Sequence, residues 1–202
     1  MNRMVSEVTR SWQVLLLGGA SGSGKTSVSY RLANHFKVGI TEIDDFQVIL
    51  EGMTTPEQQP ELHWWRTHPD PMHLPADEIV EHTIAVCRVM APALEAVIAN
   101  HLESRAPVIL DGDFILPALA AQTSFRGYPS DAQVRSVIID EHNEQQLLKN
   151  FGERESAMQP LRARVSWLYG RWLKQEAEAS GAIVIPSRPW KTLFDRVLQA
   201  IA

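Results

Sequence analysis

The 202-residue sequence has a single cysteine, Cys87, so no disulfide can form within the chain. Cys87 lies in an apolar run, which favours a packed core thiol over a nucleophile and fits a reducing cytoplasm. Basic residues are also fewer than acidic ones, 19 against 24, for a net charge of −5. This balance argues against a non-specific nucleic-acid binder, because such proteins are normally basic.

Two kinds of hydrophobic segment are missing as well. Residues 1–10 contain no apolar core, so we expect no signal peptide, and no run of about 18 apolar residues predicts a membrane span. The hydrophobic content of 45% is nevertheless ample for a core. We expect a frayed polar segment at 1–11 followed by a single domain at 12–202.

The most informative segment runs from Trp12 to Phe36. An apolar stretch precedes the pattern Gly-x-x-x-x-Gly-Lys-Thr, which occupies Gly19–Thr26. Apolar residues then recur every four positions, as on one face of a helix. The segment therefore predicts a strand, a phosphate-binding loop and a helix, in that order.

This loop has the chemistry of an anion site. Its glycines lack a Cβ, so the backbone can wrap round a phosphate with its N–H groups inward, and the next helix adds its positive dipole end. Lys25 would reach the outer phosphates of a nucleotide, and the hydroxyl of Thr26 suits Mg²⁺. The predicted nucleotide-binding residues are Gly19, Ala20, Ser21, Gly22, Ser23, Gly24, Lys25, Thr26 and Ser27.

An acidic pair follows the second predicted strand. This strand, at 38–43, ends on Asp44 and Asp45, in the position where ligands bind in parallel α/β sheets. At least one of the two is a candidate to accept a proton in catalysis. An Asp before Phe46 would equally serve as the N-cap of a helix.

A second acidic pair follows the third predicted strand, at 107–113. Continuous apolar residues that run into an acid are typical of a central parallel strand whose carboxylate faces Mg²⁺, often through water. Asp111 is the candidate for this metal shell. Asp113 would face the acceptor substrate, or it would cap a turn.

Residues 51–75 are rich in proline and form a predicted insertion. Two interpretations remain open for them. They form a substrate-facing flap in which Arg66 meets an anion and a tryptophan gives a flat wall, or their tryptophans pack beneath the domain. The histidines in and near the insertion match no recognised metal-ligand spacing.

A predicted lid at about 150–164 carries Arg154, Arg162 and Arg164 near a glycine and a proline. In a phosphoryl transferase, such arginines close on the transferring phosphate, and Arg154 is the first candidate. The alternative is that they are solvated charges at helix ends. Arg188 follows the last predicted strand, and we expect it near the adenine of a nucleotide.

The remaining predicted elements are helices and strands that support this frame. They are a helix at 77–103, a short helix at 117–122, a strand at 134–139, a helix at 141–150, a helix from 161 to about 179, a strand at 181–185 and a helix at 190–201.

Together these features resemble the small P-loop kinases, and most of all the bacterial and archaeal 2-phosphoglycerate kinase-like group. In that group an apolar strand ends in an acid-Gly pair followed closely by Pro, as at Asp111, Gly112 and Pro117. The Asp-Asp-Phe at 44–46 is similar, more distantly, to uridine kinases. Chloramphenicol phosphotransferase and zeta-toxin kinases share the same skeleton. The chain departs from the first group at Asn150, where the lid tends to carry Arg.

We expect a helical insertion at about 51–75, which the resemblance does not cover, and a lid at about 150–164. The resemblance implies a three-layer α/β/α P-loop NTPase fold with a five-stranded parallel sheet of order 2-3-1-4-5. It also implies ATP, Mg²⁺ and phosphorylation of a small molecule. Our hypothesis is a cytoplasmic ATP-dependent kinase of a hydroxyl, in which Lys25 holds phosphates, Thr26 and Asp111 hold the metal, and Asp44 or Asp45 is the base.

Two other hypotheses compete with this one. The first is a non-catalytic ATP sensor that presents Trp64 and Trp65 to a protein partner. The second is a toxin-type or antibiotic kinase. We expect ATP and a small-molecule acceptor as partners, without nucleic acid or membrane. The sequence leaves the acceptor and the oligomeric state open.

Overall fold

The structure is a computed structural model that describes residues 10–68, 70 and 73–202. Most of the predicted frayed segment (1–9), and residues 69, 71 and 72 of the predicted insertion, lie outside the described residues. The elements are β1 (Val14–Gly18), α1 (Lys25–Phe36), β2 (Gly39–Glu42), α2 (Ile43–Met53), α3 (Trp64–Thr67), α4 (Ala76–Ser104), β3 (Val108–Gly112), β4 (Ser124–Phe125), β5 (Tyr128–Pro129), β6 (Val134–Asp140), α5 (Glu144–Glu155), α6 (Pro160–Ser180), β7 (Ile183–Pro186) and α7 (Leu193–Ile201).

Five parallel strands form the central sheet in the order β2-β3-β1-β6-β7. With the separate β4-β5 hairpin set aside, this is the predicted order 2-3-1-4-5, so the predicted fold class is confirmed. In the register of β1 and β3, Leu17 lies opposite Asp111 and Gly18 lies opposite Gly112. The loop after β1 therefore begins beside the acidic end of β3.

Helices cover both faces of the sheet because the strand residues alternate in direction. Val14 and Leu16 of β1 pack towards α4, and Leu15 and Leu17 pack towards α1 and α7 on the other face. All four of these side chains are fully buried. The central strand is therefore apolar throughout, as expected for a strand covered on both sides.

Helix α4 is the long helix that the sequence predicts at 77–103. By length and composition alone it is apolar enough to cross a membrane. Its buried residues, however, pack in two of the hydrophobic clusters, against the sheet and against α6. This is the packing of a core helix.

Several predicted boundaries of helices and strands are wrong. One of these errors changes the secondary structure assigned to two candidate site residues. Strand β2 stops at Glu42 and α2 starts at Ile43, so Asp44 and Asp45 lie in the first turn of a helix instead of at a strand end. The N-cap alternative is also wrong, because Glu42 is the N-cap residue and no side chain bonds the helix end. Ile43 is fully buried, and this burial ties the start of α2 to the core.

Two other differences concern the second half of the chain. Helix α5 runs to Glu155 instead of ending near residue 150, so the first part of the predicted lid is helical. The β4-β5 hairpin was not predicted. The predicted end of the helix at about residue 179 is confirmed, because α6 ends at Ser180 and Gly181 is its left-handed C-cap.

A glycine substitution tests the junction between β3 and α2. A Cβ added at Gly112 would lie 2.5 Å from the Cβ of Ile43, whereas a Cβ at Gly39 has no neighbour nearer than 4.0 Å. We expect Gly112→Ala to lower the free energy of unfolding by about 1–3 kcal/mol through overpacking. Gly39→Ala is the control, with a change near zero. Urea denaturation measures both, and equal effects would contradict the packing described.

Candidate active site

The loop between β1 and α1 has the conformation that its glycines permit. Gly22 and Gly24 have φ values of 80° and 93°, in the left-handed region that L side chains rarely adopt. A Cβ at Gly24 would in addition overlap the ring of Trp190. The sequence reasoning missed Trp190, whose only signal was an aromatic residue in the loop after the last strand.

Lys25, the first residue of α1, is buried and forms an ion pair with the carboxylate of Asp113. Burial works against the charged ammonium, but the nearby carboxylates outweigh it, and the net pKa of Lys25 is raised. Asp113 contributes most to this rise, followed by Asp111 and Asp44. The structure therefore gathers three of the predicted acidic residues around the predicted phosphate-binding lysine.

Asp111 at the end of β3 is 2% exposed, and its Oδ1 has no hydrogen-bond partner among the described residues. Burial raises the pKa of Asp111, although Lys25 and the hydroxyls of Thr26 and Ser29 oppose the rise. A buried carboxylate oxygen beside a threonine hydroxyl is a suitable donor set for Mg²⁺, which prefers oxygen ligands.

No cluster of three or more His, Cys, Asp or Glu side chains is placed to hold a metal within the part of the chain that the structure describes. Mg²⁺ in nucleotide enzymes usually takes only one or two protein ligands and completes its shell with phosphate oxygens and water.

Asp44 and Asp45 differ in their surroundings although they are adjacent. Burial of the carboxyl raises the pKa of Asp44, and the charges of Asp113 and Asp111 add to the rise while Lys25 opposes it. Both residues keep exposed surface, but of the two it is Asp44 whose charge acts on Lys25. Asp44 is therefore the member of the pair that faces the cluster around Lys25.

Two cavities meet at the loop. The first, here called the loop cavity, has a volume of about 720 Å³. It is lined by Gly22, Gly24, Lys25, Thr26, Ser27, Gln146, Lys149, Asn150, Phe151, Glu153, Arg154, Arg188 and Trp190. The second, here called the Trp65 cavity, has a volume of about 360 Å³. It is lined by Ser21, Trp65, Ile79, Thr83, Asp113, Phe114, Gln159, Leu161, Arg162, Val165, Ser166 and Tyr169. The ion pair of Lys25 and Asp113 joins the two, because each residue lines one of them.

The three lid arginines diverge. Arg154 lines the loop cavity and pairs with Glu155. Arg162 lines the Trp65 cavity and donates to the Oγ of Ser21 over 3.3 Å. Arg164 pairs with Glu144 at 2.9 Å and lines neither cavity. Of the three, only Arg162 contacts the phosphate-binding loop directly in this structure.

Helix α5 itself is docked on the loop. Phe151 is fully buried and lies directly beside Gly22, where an added Cβ would be 3.0 Å from its ring. Asn150 donates from Nδ2 to the carbonyl of Gly22 over 2.9 Å. The guanidinium of Arg162 lies 4.5 Å from the centre of the Phe151 ring. The lid and the loop are thus one packed unit, and Asn150 has a contact of its own where the resembling group tends to carry Arg.

The loop after β7 is held by a buried acid. Glu141 accepts hydrogen bonds from the hydroxyl of Ser187 at 2.6 Å and from Nε of Arg188 at 3.1 Å. Arg188 and Trp190 both line the loop cavity. The predicted position of Arg188 near a nucleotide is therefore compatible with the structure, and its role remains a prediction.

The predicted insertion contributes a tryptophan to the lining of the Trp65 cavity, but its arginine lines neither cavity. Arg66 pairs with Glu51 at 3.0 Å and is absent from the lining of both cavities. Its neighbour Trp65 lines the Trp65 cavity, while Trp64 stacks between His68 and His82 with ring centres 4.6 and 4.2 Å away. Trp65 thus fits the interpretation of the insertion as a flap that gives a flat wall. Trp64 fits the alternative, in which the tryptophans are packed against the domain.

No protein-family model matches the chain, and no curated protein matches its sequence. Solved structures do match. A shikimate kinase from Acinetobacter baumannii in complex with shikimate is 16% identical, with a TM-score of 0.54 over 95% of this chain and 94% of that one. A shikimate kinase from Aquifex aeolicus is 17% identical, with a TM-score of 0.49 over 93% and 95%. The likeness to the first of these structures establishes the fold, a five-stranded parallel sheet covered by helices, and leaves the activity to be argued from the site.

One oxygen of the buried Asp111 carboxylate has no hydrogen-bond partner among the described residues. We therefore predict that Asp111 lowers the stability of the ligand-free protein and strengthens its binding of metal. Because its pKa is raised, the ionised form costs folding free energy at neutral pH, so we expect Asp111→Asn to raise the melting temperature by about 2–4 °C without ligands. The gain should shrink as pH falls through the raised pKa, since Asp111 is then protonated in the wild type. Added Mg²⁺ and nucleotide should stabilise the wild type more than the variant.

Thermal unfolding from neutral to acidic pH, with and without Mg²⁺ and ATP, measures this prediction. Glu178→Gln removes an exposed carboxylate of α6 and is the control. A lower melting temperature of ligand-free Asp111→Asn at neutral pH would contradict the cost assigned to the buried charge.

Proposed function

We propose that the protein is an ATP-dependent phosphotransferase that phosphorylates a hydroxyl group of a small molecule. The observation that carries the proposal is the ion pair of Lys25 and Asp113, which links a phosphate-binding loop in one cavity to a carboxylate in another. A donor and an acceptor would therefore meet at one ammonium group. The likeness in fold to a shikimate kinase supports this reading.

The donor nucleotide occupies the loop cavity in this proposal. The backbone N–H groups of the loop and Lys25 hold the β and γ phosphates, and Arg188 and Trp190 border the adenine. Thr26 and Asp111 would hold Mg²⁺, which supplies charge compensation for the phosphate oxygens. Arg154 lies over the same cavity and would approach the phosphates if its pairing with Glu155 opened.

The acceptor hydroxyl lies in the Trp65 cavity beside Asp113. Its oxygen forms a bond to the γ-phosphorus, the bond from this phosphorus to the β–γ bridging oxygen breaks, and the proton of the hydroxyl passes to a carboxylate. We assign this base to Asp44, because it is the one of the two predicted aspartates whose charge acts on Lys25, and it is not tied in an ion pair among the described contacts. Asp113, paired to Lys25, orients the hydroxyl, and Arg162 would stabilise the charge that develops on the phosphoryl group once its pairing with Glu155 opened.

The competing sensor hypothesis finds less support in the insertion. Trp64 is packed between two histidines and Trp65 lines a cavity beside the loop, so neither forms a broad free patch for a protein partner. The toxin-type hypothesis differs from a metabolic kinase only in the identity of the acceptor. Toxicity on expression that disappears in Lys25→Ala would favour it over a metabolic role.

The base assignment predicts a difference between two adjacent aspartates. We expect Asp44→Asn to lower kcat for phosphotransfer by about 10²–10⁴-fold, the usual contribution of a general base. Asp45→Asn should lose far less, since Asp45 is not among the carboxylates that act on Lys25. The acid limb of the wild-type rate should lie at a higher pH than for an ordinary carboxyl, because activity falls as Asp44 is protonated.

The measurement is ADP release and product formation over a panel of sugars, nucleosides, phosphoglycerates, shikimate and antibiotics. Lys25→Ala is the inactive reference, expected to lose nucleotide binding. Full activity of Asp44→Asn would exclude Asp44 as the base, and absence of nucleotide binding by the wild type would refute the proposed function itself.

A further inference from the structure

Resting on the proposed function, we propose that the acceptor is a neutral alcohol with a largely apolar, ring-sized body. Sugars, carboxylic acids and phosphate esters are the classes that this assignment disfavours. The inference comes from the walls, the hydrogen bonds and the charges of the Trp65 cavity. Each of these points to the same class of molecule.

The walls are apolar on several sides. The side chains that form them come from α3, α4, the segment after β3, and α6. They are Trp65, Ile79, Phe114, Leu161, Val165 and Tyr169. The volume of about 360 Å³ is in the range of small-molecule sites, and such surfaces favour a ligand with mainly carbon on its exterior.

The polar groups of the cavity are largely occupied by the protein itself. The hydroxyl of Thr83 donates to the carbonyl of Ile79 at 2.8 Å, and that of Tyr169 donates to the carbonyl of Asp113 at 2.6 Å. The amide of Gln159 is bonded to Glu155 and Arg162. A polyhydroxylated acceptor would bury several hydroxyls without partners, and each such group is unfavourable.

The charges disfavour an anion. Arg162 is the one cationic side chain in the lining, and Glu155 already pairs with it at 2.6 Å. The other charged group of the lining is the carboxylate of Asp113, which would repel a carboxylate or phosphate on the acceptor. Arg66, the cation that the sequence offered for this purpose, is held by Glu51 outside the cavity. An anionic acceptor would therefore be buried without a free countercharge.

The aromatic wall is supported from behind. The ring of Trp65 meets that of Trp64 edge to face at 4.8 Å, and Trp64 stacks on His82 of α4 at 4.2 Å. His82 in turn contacts the carbonyl of Glu61 through Nε2 at 3.0 Å. A flat ligand thus meets a surface that is already in place, which lowers the entropic cost of binding.

Two matched probes test the class: 2-(2-naphthyl)ethanol, which is neutral, and 2-naphthylacetic acid, which carries a carboxylate on the same ring. Binding to the full chain is measured by calorimetry or ligand-detected NMR. We expect the alcohol to bind at least about tenfold more tightly than the acid, and Trp65→Ala to weaken its binding about tenfold. Met53→Ala, which changes an exposed side chain of α2, should leave binding unchanged.

Two further variants address the chemistry of the wall and guard against misfolding of Trp65→Ala. Val165→Thr keeps the side-chain shape and adds a hydroxyl, so it should weaken binding of the alcohol severalfold. Val165→Arg adds a cation to the wall and should shift the preference towards the acid. Circular dichroism checks that each variant is folded.

The outcomes separate this inference from the proposed function. Equal or tighter binding of the acid by the wild type overturns the neutral class. Phosphorylation of a sugar or sugar acid, but not of the naphthyl alcohol, also overturns it while the kinase function stands. Binding of the alcohol by a chain that shows no nucleotide binding refutes the kinase function and supports the chemistry assigned to the cavity.

Discussion

The site depends on the interaction of the buried Lys25 ammonium with the carboxylates around it. Lys25 lies at the first turn of α1, and one residue each from β3, the segment after β3 and α2 brings a carboxylate towards it. One cation faces three acids, so the local charge is negative when all are ionised. Burial is the main cause of the raised pKa of Asp44 and of Asp111, and the negative charge of Asp113 adds to the rise in both. A bound divalent cation would neutralise this excess negative charge. The phosphates of a nucleotide would then meet less electrostatic repulsion in the site.

The sequence predicts those parts of the site whose geometry depends on short segments of chain. The loop and Thr26 follow directly from a strand, and Asp111 ends the strand paired beside it. Parallel strands end at one edge of the sheet, so their proximity follows from the fold. The choice between Asp44 and Asp45 does not, because it depends on where α2 begins. A helix that starts at Ile43, in place of a strand end, changes which of the two carboxylates faces Lys25.

The lid shows a different limit of sequence reasoning. A cluster of arginines predicts cations near the loop, yet their directions depend on how far α5 continues and how α6 packs against it. Phe151 lies beneath the loop, and this leaves Arg154 on one side and Arg162 on the other. The contact of Trp190 with Gly24 is equally a matter of tertiary packing, since 166 residues separate them in the chain. No periodicity or local motif carries that information.

The two cavities divide the site into a part shared by the fold and a part peculiar to this chain. The loop, Lys25 and Asp111 belong to elements that any strand-loop-helix of this kind supplies. The wall of the Trp65 cavity comes in part from the insertion, which has no counterpart in the resemblance drawn from sequence. Because a single substituent or missing hydrogen bond in a binding pocket changes binding by a large factor, in the proposed function this wall would select among alcohols. In the proposed function, acceptor choice and phosphate chemistry therefore fall largely to different segments, which meet at the ion pair of Lys25 and Asp113 and at Ser21.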